Sequence, residues 1–294
     1  MRVFVTGGSG LLGSAVVPEL LAAGHDVLAL ARSATAAAAL TAAGAEVLRG
    51  SLADREALRG GAEVTDGVVH LGYDPAAAGT AEWRVVEALG SALEDTGRPL
   101  AVATGMLALT PGWPATERDG LDLDPSLSGS PRAAAALATL GFAERGVRTA
   151  LVRLAPAVHD DRPSGLVGAL VDLARDRGVS ACPGDGAQRW AAVHRQDAAR
   201  LFRLAVEGAP AGSVLHGVAE EGVPVGDIAA AIGAGWDLPV AAGAPLTAFG
   251  PLASVVGVDA PASSALTRQL LGWRPTGPGL LDDVRRWSLD RAPV

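Results

Sequence analysis

The stretch RVFVTGGSGLLGS, residues 2–14, joins a strand, a glycine-rich turn and the start of a helix. RVFVT is an apolar run with β-branched residues, typical of a strand buried in a parallel sheet. Gly7, Gly10 and Gly13 follow at a spacing of three, and the apolar residues of 11–24 have helical periodicity. Such glycines permit the tight turn, the approach of the backbone to a pyrophosphate, and the packing of helix on strand. The stretch therefore predicts a dinucleotide site, formed by these glycines with the backbone of Leu11 and Leu12.

Strands and helices alternate outward from this turn. The sequence predicts strands at 2–6, 26–31, 45–50, 67–72, 99–105 and 149–154, with helices between them. This alternation favours an α/β fold, a Rossmann-type doubly wound parallel sheet with right-handed connections. After residue 155 the alternation fades, and helices near 164–177, 196–207, 224–233 and 278–291 are joined by Pro/Gly turns. We therefore expect a nucleotide-binding domain in 1–155, to which segments near 187–217 return, and a smaller C-terminal substrate-binding subdomain in 156–294.

The end of the second strand bears on the choice of nucleotide. An NAD site usually has Asp or Glu there to hold the ribose hydroxyls, whereas this strand ends in ALARS, residues 29–33. The guanidinium of Arg32 and the hydroxyl of Ser33 suit a 2′-phosphate. The sequence predicts NADP(H) as the cofactor in preference to NAD(H). The alternative is that Arg32 is simply a solvated residue at the strand end.

Composition excludes several other classes of function. The formal net charge is −8, and without a basic cluster this argues against a nucleic-acid partner. Cys182 is the single cysteine and the five His lack ligand spacing, so no metal site is expected. There is no run of 18 apolar residues and no signal peptide, so we expect a cytoplasmic protein with no membrane partner. The expected partner is a small molecule, and the oligomeric state stays open.

Several segments, in order and spacing, resemble those of the extended and atypical short-chain dehydrogenase/reductase superfamily over nearly the whole chain. They are TGGSGLLG (6–13), GSLAD (50–54), DGVVHLG (66–72), LVRLAPAVHD (151–160), GDGAQRWAAVHRQDAARL (184–201) and LGWRPT (271–276). The resemblance implies that Ser51, where Asp is usual, and Leu52 lie near the adenine. It also implies that Leu71 and Gly72 pass the cofactor.

The resemblance also implies a catalytic Ser or Thr followed by a Tyr-xxx-Lys pair. In AVATGM, residues 101–106, the hydroxyl position matches Thr104. In SLSGSPRAAAA, residues 126–136, Ser128 stands at the Tyr position and Arg132 at the Lys position. Arg132 would still hold the nicotinamide ribose, but the hydroxyl of Ser128 is far too weak an acid to replace a phenol. The chain has one Tyr, Tyr73, and all 24 of its Lys and Arg positions are Arg.

Loss of the Tyr need not abolish carbonyl reduction. A positioned general acid contributes about 10²–10⁴-fold, or roughly 3–5.5 kcal/mol, whereas near-attack geometry contributes about 7–11 kcal/mol. A hydroxyaryl ketone also carries a phenol beside its carbonyl, and that phenol or water can supply the proton. The chain resembles ketoreductases of aromatic polyketide biosynthesis that lack the Tyr-xxx-Lys pair. We therefore expect an NADPH-dependent ketoreductase of antibiotic biosynthesis that acts on a polycyclic, angucyclinone-like aromatic ketone.

Five further residues are expected to line the substrate site: Tyr73, Met106, Trp113, His159 and Trp190. For each a structural role is the alternative, such as pinning a loop for Trp113 or filling the subdomain core for Trp190. Two other functions also stay open. One is a non-catalytic NADP(H)-binding sensor or scaffold, which would explain the missing pair directly. The other is an epimerase, dehydratase or cyclase that recycles its cofactor.

Overall fold

The computed structural model describes residues 1–73, 82–106, 109, 112–119 and 131–288, the side chains of 131–133 excepted. Its strands are β1 (Arg2–Thr6), β2 (Asp26–Ala31), β3 (Glu46–Arg49), β4 (Gly67–His70), β5 (Pro99–Gly105), β6 (Arg148–Leu154), β7 (Ala157–His159), β8 (Ser180–Pro183), β9 (Arg189–His194), β10 (Ser213–Gly217), β11 (Glu220–Pro224) and β12 (Val240–Ala244). Its α-helices are α1 (Gly13–Ala22), α2 (Ala34–Ala42), α3 (Arg55–Glu63), α4 (Glu82–Ser91), α5 (Pro131–Gly141), α6 (Gly165–Arg177), α7 (Arg195–Gly208), α8 (Val225–Trp236), α9 (Ala253–Val256), α10 (Ala265–Leu271) and α11 (Leu280–Trp287).

Seven strands form one parallel sheet in the order β10-β6-β5-β4-β1-β2-β3. The order reverses beside β1: β2 and β3 follow to one side, and β4, β5, β6 and β10 to the other. Ligands of open α/β sheets bind at the carboxyl ends of the strands, where such a reversal leaves a crevice. The predicted Rossmann-type α/β fold is confirmed.

Helices cover both faces of this sheet because successive strand residues point to opposite sides. On one face, Val5 and its neighbours pack in a core with Val16 of α1 and Phe202 of α7. On the other face, Phe4 packs with Leu89 of α4. Both faces are therefore apolar, which explains the near-continuous hydrophobic runs of the strands.

The second half of the chain forms a separate core over small sheets, termed the second core. β11, β9 and β7 form a three-stranded sheet, and β12 pairs with β8. Trp190 of β9, Trp236 of α8 and Trp287 of α11 lie in this core. Between these elements the chain returns to the large sheet, because α7 packs beside α1 and β10 is an edge strand there. The sequence predicts α6, α7, α8 and α11 of this half, and it misses the short helices α9 and α10 and the strands. Within the described ranges, no helix is long and apolar enough to span a membrane.

Candidate functional site

A cavity of about 1110 Å³ lies at the carboxyl ends of β1, β2, β4, β5 and β6. It is large compared with the ~300–1,000 Å³ of ordinary small-molecule sites, so it has room for an extended ligand. The residues predicted from the sequence that line it are Gly7, Gly10, Leu11, Leu12, Gly13, Arg32, Ser33, Ser51, Leu52, Leu71, Gly72, Tyr73, Thr104 and Met106.

The turn between β1 and α1 is closed by backbone contacts that only glycine permits. Gly7 has φ +71°, and a Cβ there would lie 2.6 Å from the backbone N of Gly72. A Cβ on Gly13 would lie 2.1 Å from the carbonyl O of Gly7. At Gly10 a Cβ would meet only that same oxygen, at 3.3 Å, so this position is open on its other sides. No side chain caps α1 at Leu12, and the helix N-terminus faces the cavity with its positive dipole end.

The far end of the cavity, beyond β2, is cationic. Arg32 and Ser33 line it, and the hydroxyl of Ser33 caps α2 by accepting from the N–H of Ala36 at 3.1 Å. Arg49 of β3 donates to the carbonyl O of Ser33 at 2.7 Å and so fixes this turn from behind. Among the described residues that line the cavity, Glu82 is the one acid. Of the residues that the structure describes, Arg32 and Ser33 thus give this strand end a guanidinium and a hydroxyl, and no acid follows β2 there.

The opposite end of the cavity holds Thr104, near the end of β5. Its side chain is almost completely buried, and Met106 beside it is buried as well. Arg153 of β6 is the register neighbour of Thr104 and donates to the carbonyl O of Asp119 at 2.7 Å. This bond holds the described segment 112–119 against the sheet. Thr104 thus borders the cavity from a buried position near the end of β5.

The residues present fit a nicotinamide dinucleotide. One cavity is lined by the phosphate turn, the cationic end beyond β2 and Thr104. The turn lies between the other two features, which is the order that an extended dinucleotide requires. A Cβ at Gly7 or Gly13 would collide with backbone of this turn, which explains why these positions need glycine.

Sequence comparison agrees with this geometry. The profile described as the NAD dependent epimerase/dehydratase family matches residues 3–90. An uncharacterized protein of Schizosaccharomyces pombe is 42% identical and covers 97% of this chain and 98% of its own length. A second, from Saccharomyces cerevisiae, is 40% identical with the same coverage of both chains. The chain belongs to the NAD-dependent epimerase/dehydratase family, the extended short-chain dehydrogenases.

More distant members of this family agree over shorter stretches or in fold alone. A 4-hydroxy-2-methyl-3-oxo-4-farnesyl-3,4-dihydroquinoline-1-oxide ketoreductase of Stigmatella aurantiaca is 41% identical over 92 residues, 31% of this chain and 28% of that protein. The structure of DesIV, a dTDP-glucose 4,6-dehydratase of Streptomyces venezuelae with NAD bound, has a TM-score of 0.77 at 20% identity. It covers 99% of this chain and 98% of its own. The likeness of fold therefore extends over nearly the full length of both chains.

Three residues predicted to line the substrate site are placed elsewhere. Trp190 has no exposed surface, because its face of β9 packs into the second core. His159 is also buried, and its Nδ1 lies 2.7 Å from Oδ2 of Asp283 in α11. Trp113 is 77% exposed and does not line the cavity. These side chains have structural or surface positions. Ser128 and the side chain of Arg132 lie outside the described residues.

The sequence patterns did not predict several other residues that line the cavity. They come from the ends of β4, β5 and β6, from the start of α4 and from the start of α6: His70, Glu82, Val85, Ala103, Gly105, Leu154, Ala155, Pro156, Val158, Gly165 and Leu166. The strand-end residues share a signal that was available, since all carboxyl ends of a parallel sheet meet at one edge. No local pattern marks the start of α6, because its position depends on the packing of the second core.

An ion pair with a buried carboxylate connects the phosphate turn to the segment before α6. Arg195 lies 2.8 Å from Oδ2 of Asp160 and 3.4 Å from the carbonyl O of Leu11. The other oxygen of Asp160 accepts from the N–H of Arg162 at 3.1 Å and from the hydroxyl of Ser164 at 3.3 Å. The two sides of the cavity are therefore held by one polar network.

Proposed function

We propose that this protein is an NADPH-dependent ketoreductase that reduces a ketone on a flat aromatic substrate. The observation that carries the proposal is that three features line one cavity. The glycine turn is in the middle, Arg32 and Ser33 are on one side of it, and Thr104 is on the other. Arg32 and Ser33 would bind the 2′-phosphate, with Arg49 fixing their backbone. The partial likeness to a quinoline-oxide ketoreductase supports this reaction class.

The substrate end of the cavity favours an apolar, planar molecule. Its walls beyond Thr104 are Met106, Leu154, Pro156, Val158 and Leu166, with Tyr73 at the rim. Such apolar walls with few polar groups suit an aromatic ring system. We propose a polycyclic, angucyclinone-like ketone of polyketide type, with a hydroxyl group next to the carbonyl.

The residues of the chain would orient and polarise the carbonyl. When bound, NADPH supplies the hydride that adds to the carbonyl carbon. The Thr104 hydroxyl donates a hydrogen bond to the carbonyl oxygen, whose negative charge grows as the hydride is transferred. The neighbouring phenol of the substrate gives its proton to this oxygen and recovers one from water, so that ketone, NADPH and H⁺ become alcohol and NADP⁺.

The test compares cofactor affinity with turnover. Calorimetry should give a tighter Kd for NADPH than for NADH, and Arg32→Ala should remove most of this difference while leaving NADH binding within about twofold. NADPH oxidation should occur with an aryl ketone that carries a neighbouring hydroxyl, and much more slowly with its methyl ether. Equal or tighter binding of NADH refutes the cofactor assignment. Tight NADPH binding with no turnover of hydroxylated or simple activated ketones favours a non-catalytic NADP(H)-binding sensor or scaffold. The absence of the Tyr-xxx-Lys pair supports that alternative.

A further inference from the structure

A second, smaller cavity lies in the second core. Its volume is about 170 Å³, and it is bounded by α6, β8, α8, β12 and the segment 246–252. None of its described lining residues also lines the cavity at the strand ends. Helix α6 borders that cavity with Gly165 and Leu166 at its start, and borders the small cavity with its second half. The small cavity is therefore a separate site.

The inner wall of the small cavity is apolar. Leu170, Ile232 and Phe249 line it, and each is at most 7% exposed. Ser180 carries the one hydroxyl among the described lining residues, and this hydroxyl donates to the carbonyl O of Ala229 at 2.8 Å. A buried water needs about two to four polar partners, whereas the side chains of this wall offer at most one, the oxygen of Ser180. The space therefore suits an apolar group better than water.

The mouth of the small cavity carries a guanidinium. Arg177, at the end of α6, is the one charged residue among the described lining residues, and its side chain is exposed. It donates to the carbonyl O of Ala248, which also lines the cavity, and this bond places the guanidinium at the opening. That carbonyl is its one hydrogen-bond partner in the described part of the chain. The remaining N–H groups of Arg177 are therefore available to an anion at the mouth.

Size and charge together define the ligand that fits. An apolar cavity of roughly 150 Å³ lined by Leu, Ile and Phe takes up benzene, so the small cavity matches one aromatic ring. Phe249 gives such a ring an aromatic neighbour, and aromatic pairs attract each other beyond the burial of their surface. The planar guanidinium of Arg177 is suited to a carboxylate.

We propose that the small cavity binds a monocyclic aryl carboxylate, with the ring against the apolar wall and the carboxylate on Arg177. This site is independent of the proposed function, because it shares no described lining residue with the cavity at the strand ends.

Two isoleucines allow a test on the wild-type protein. The chain contains two Ile, Ile228 and Ile232, both buried on α8, and of these Ile232 lines the small cavity and Ile228 does not. Methyl NMR during titration with benzoate should show a saturable ring-current shift at Ile232 and a smaller one at Ile228. The shift should persist when NADP⁺ is in excess. No shift at Ile232, or a shift that NADP⁺ abolishes, overturns the inference.

Variants test the two parts of the site separately, by calorimetry with benzoate and with benzyl alcohol, its neutral counterpart. Arg177→Met should weaken benzoate about two- to fivefold, the range of a partly exposed ion pair, and leave benzyl alcohol unchanged. Arg175→Met, also on α6 but not lining the cavity, is the matched control and should change neither affinity. Ala229→Leu should weaken both ligands at least about tenfold, because its side chain takes the space of the ring in a close-packed interior.

Unchanged benzoate affinity in Ala229→Leu would place the ligand elsewhere and overturn the inference. Equal weakening of benzoate and benzyl alcohol by Arg177→Met would contradict recognition of the carboxylate. Neither result bears on NADPH binding or ketone reduction, which the experiments on Arg32→Ala and the aryl ketones test.

Discussion

Among the residues that the structure describes, Thr104 and Tyr73 are the two hydroxyl side chains at the proposed substrate end of the cavity. Thr104 is buried at the sheet edge, whereas Tyr73 is 46% exposed. An acid that protonates an alkoxide is more effective in a site from which water is excluded. The positions therefore favour Thr104 as the group on the carbonyl oxygen and Tyr73 as part of the wall.

Substitution of these two residues should separate their roles. We expect Thr104→Val to lower kcat/KM for ketone reduction about 10²-fold, the usual cost of losing a donor to a developing oxyanion. Tyr73→Phe should change kcat/KM by less than twofold. Steady-state kinetics with NADPH measure both, and unchanged thermal unfolding serves as the control. A large loss in Tyr73→Phe alone would identify its phenol as the proton donor.

His70 should also make stability depend on pH. Burial lowers its folded-state pKa from 6.5 to about 4, so between these values the unfolded chain binds more protons than the folded chain. The free energy of unfolding therefore has its full His70 contribution above pH 6.5 and loses it as the pH falls toward 4. Over that interval the loss is about 3 kcal/mol.

Urea unfolding at pH 4 and pH 7 measures this contribution. The difference in unfolding free energy between wild type and His70→Gln should be larger at pH 7 than at pH 4, by about 3 kcal/mol. Other groups that titrate in this range cancel in the comparison of the two proteins. A difference that stays constant with pH would show that His70 titrates normally in the folded protein.

At the scale of single elements, the phosphate turn shows two different needs for glycine. At Gly13 the space for a Cβ is taken by backbone of Gly7 and Gly8, at 2.1–2.6 Å. Gly10 borders the cavity, and a Cβ there would meet the protein at one point only. The first position is needed for folding the turn, and the second for the approach of a phosphate.

The variants Gly13→Ala and Gly10→Ala should therefore fail in different ways. Gly13→Ala should lower the free energy of unfolding by about 1–3 kcal/mol, because backbone must shift to admit the methyl group. Gly10→Ala should retain nearly wild-type stability but bind NADP⁺ at least tenfold more weakly. Thermal unfolding and calorimetry check the pair. Wild-type affinity in Gly10→Ala would mean that the pyrophosphate does not approach this glycine.

The fold was predictable where local pattern and sheet layout coincide. The run at 2–6 and the glycines after it specify β1, the turn and α1, and the predicted strands at 99–105 and 149–154 match β5 and β6 almost residue for residue. β7 and β8 have only three and four residues and depend on pairing with distant segments, so no local pattern reveals them. The residues that line the cavity near β1 and β2 were predictable from the same local pattern. The burial of Trp190 and His159 was not, because it depends on the second core.

At the scale of the whole molecule, Arg195 and Asp160 join the two cores at the cavity. Asp160 is 4% exposed and also accepts from backbone and hydroxyl groups before α6. Loss of one partner from a buried ion pair leaves an uncompensated charge and typically costs about 3–5 kcal/mol. This pair should therefore matter more for stability than the ion pairs on the surface.

We expect Arg195→Met to lower the free energy of unfolding by about 3 kcal/mol, and Arg195→Met with Asp160→Asn to recover part of that loss. NADP⁺ affinity should fall severalfold, because the carbonyl of Leu11 loses its support. Arg285→Met removes an exposed pair with Asp282 and is the matched control, with an expected cost of about 0–1 kcal/mol. If the losses of unfolding free energy from Arg195→Met and from Asp160→Asn simply add in the double variant, then Arg195 and Asp160 do not stabilise each other.

The return of the chain through α7 and β10 to the large sheet has a consequence for protein recombination. A chimera with one crossover after residue 155 would import a foreign α7 against the native α1, where Arg203 pairs with Glu19 at 2.8 Å. To exchange substrate preference between relatives, two grafts are needed, 156–194 and 218–288, with residues 195–217 kept from the parent. The second core is thus encoded by two separate pieces of sequence, and single-crossover exchange between such genes should preserve α1 and α7 together.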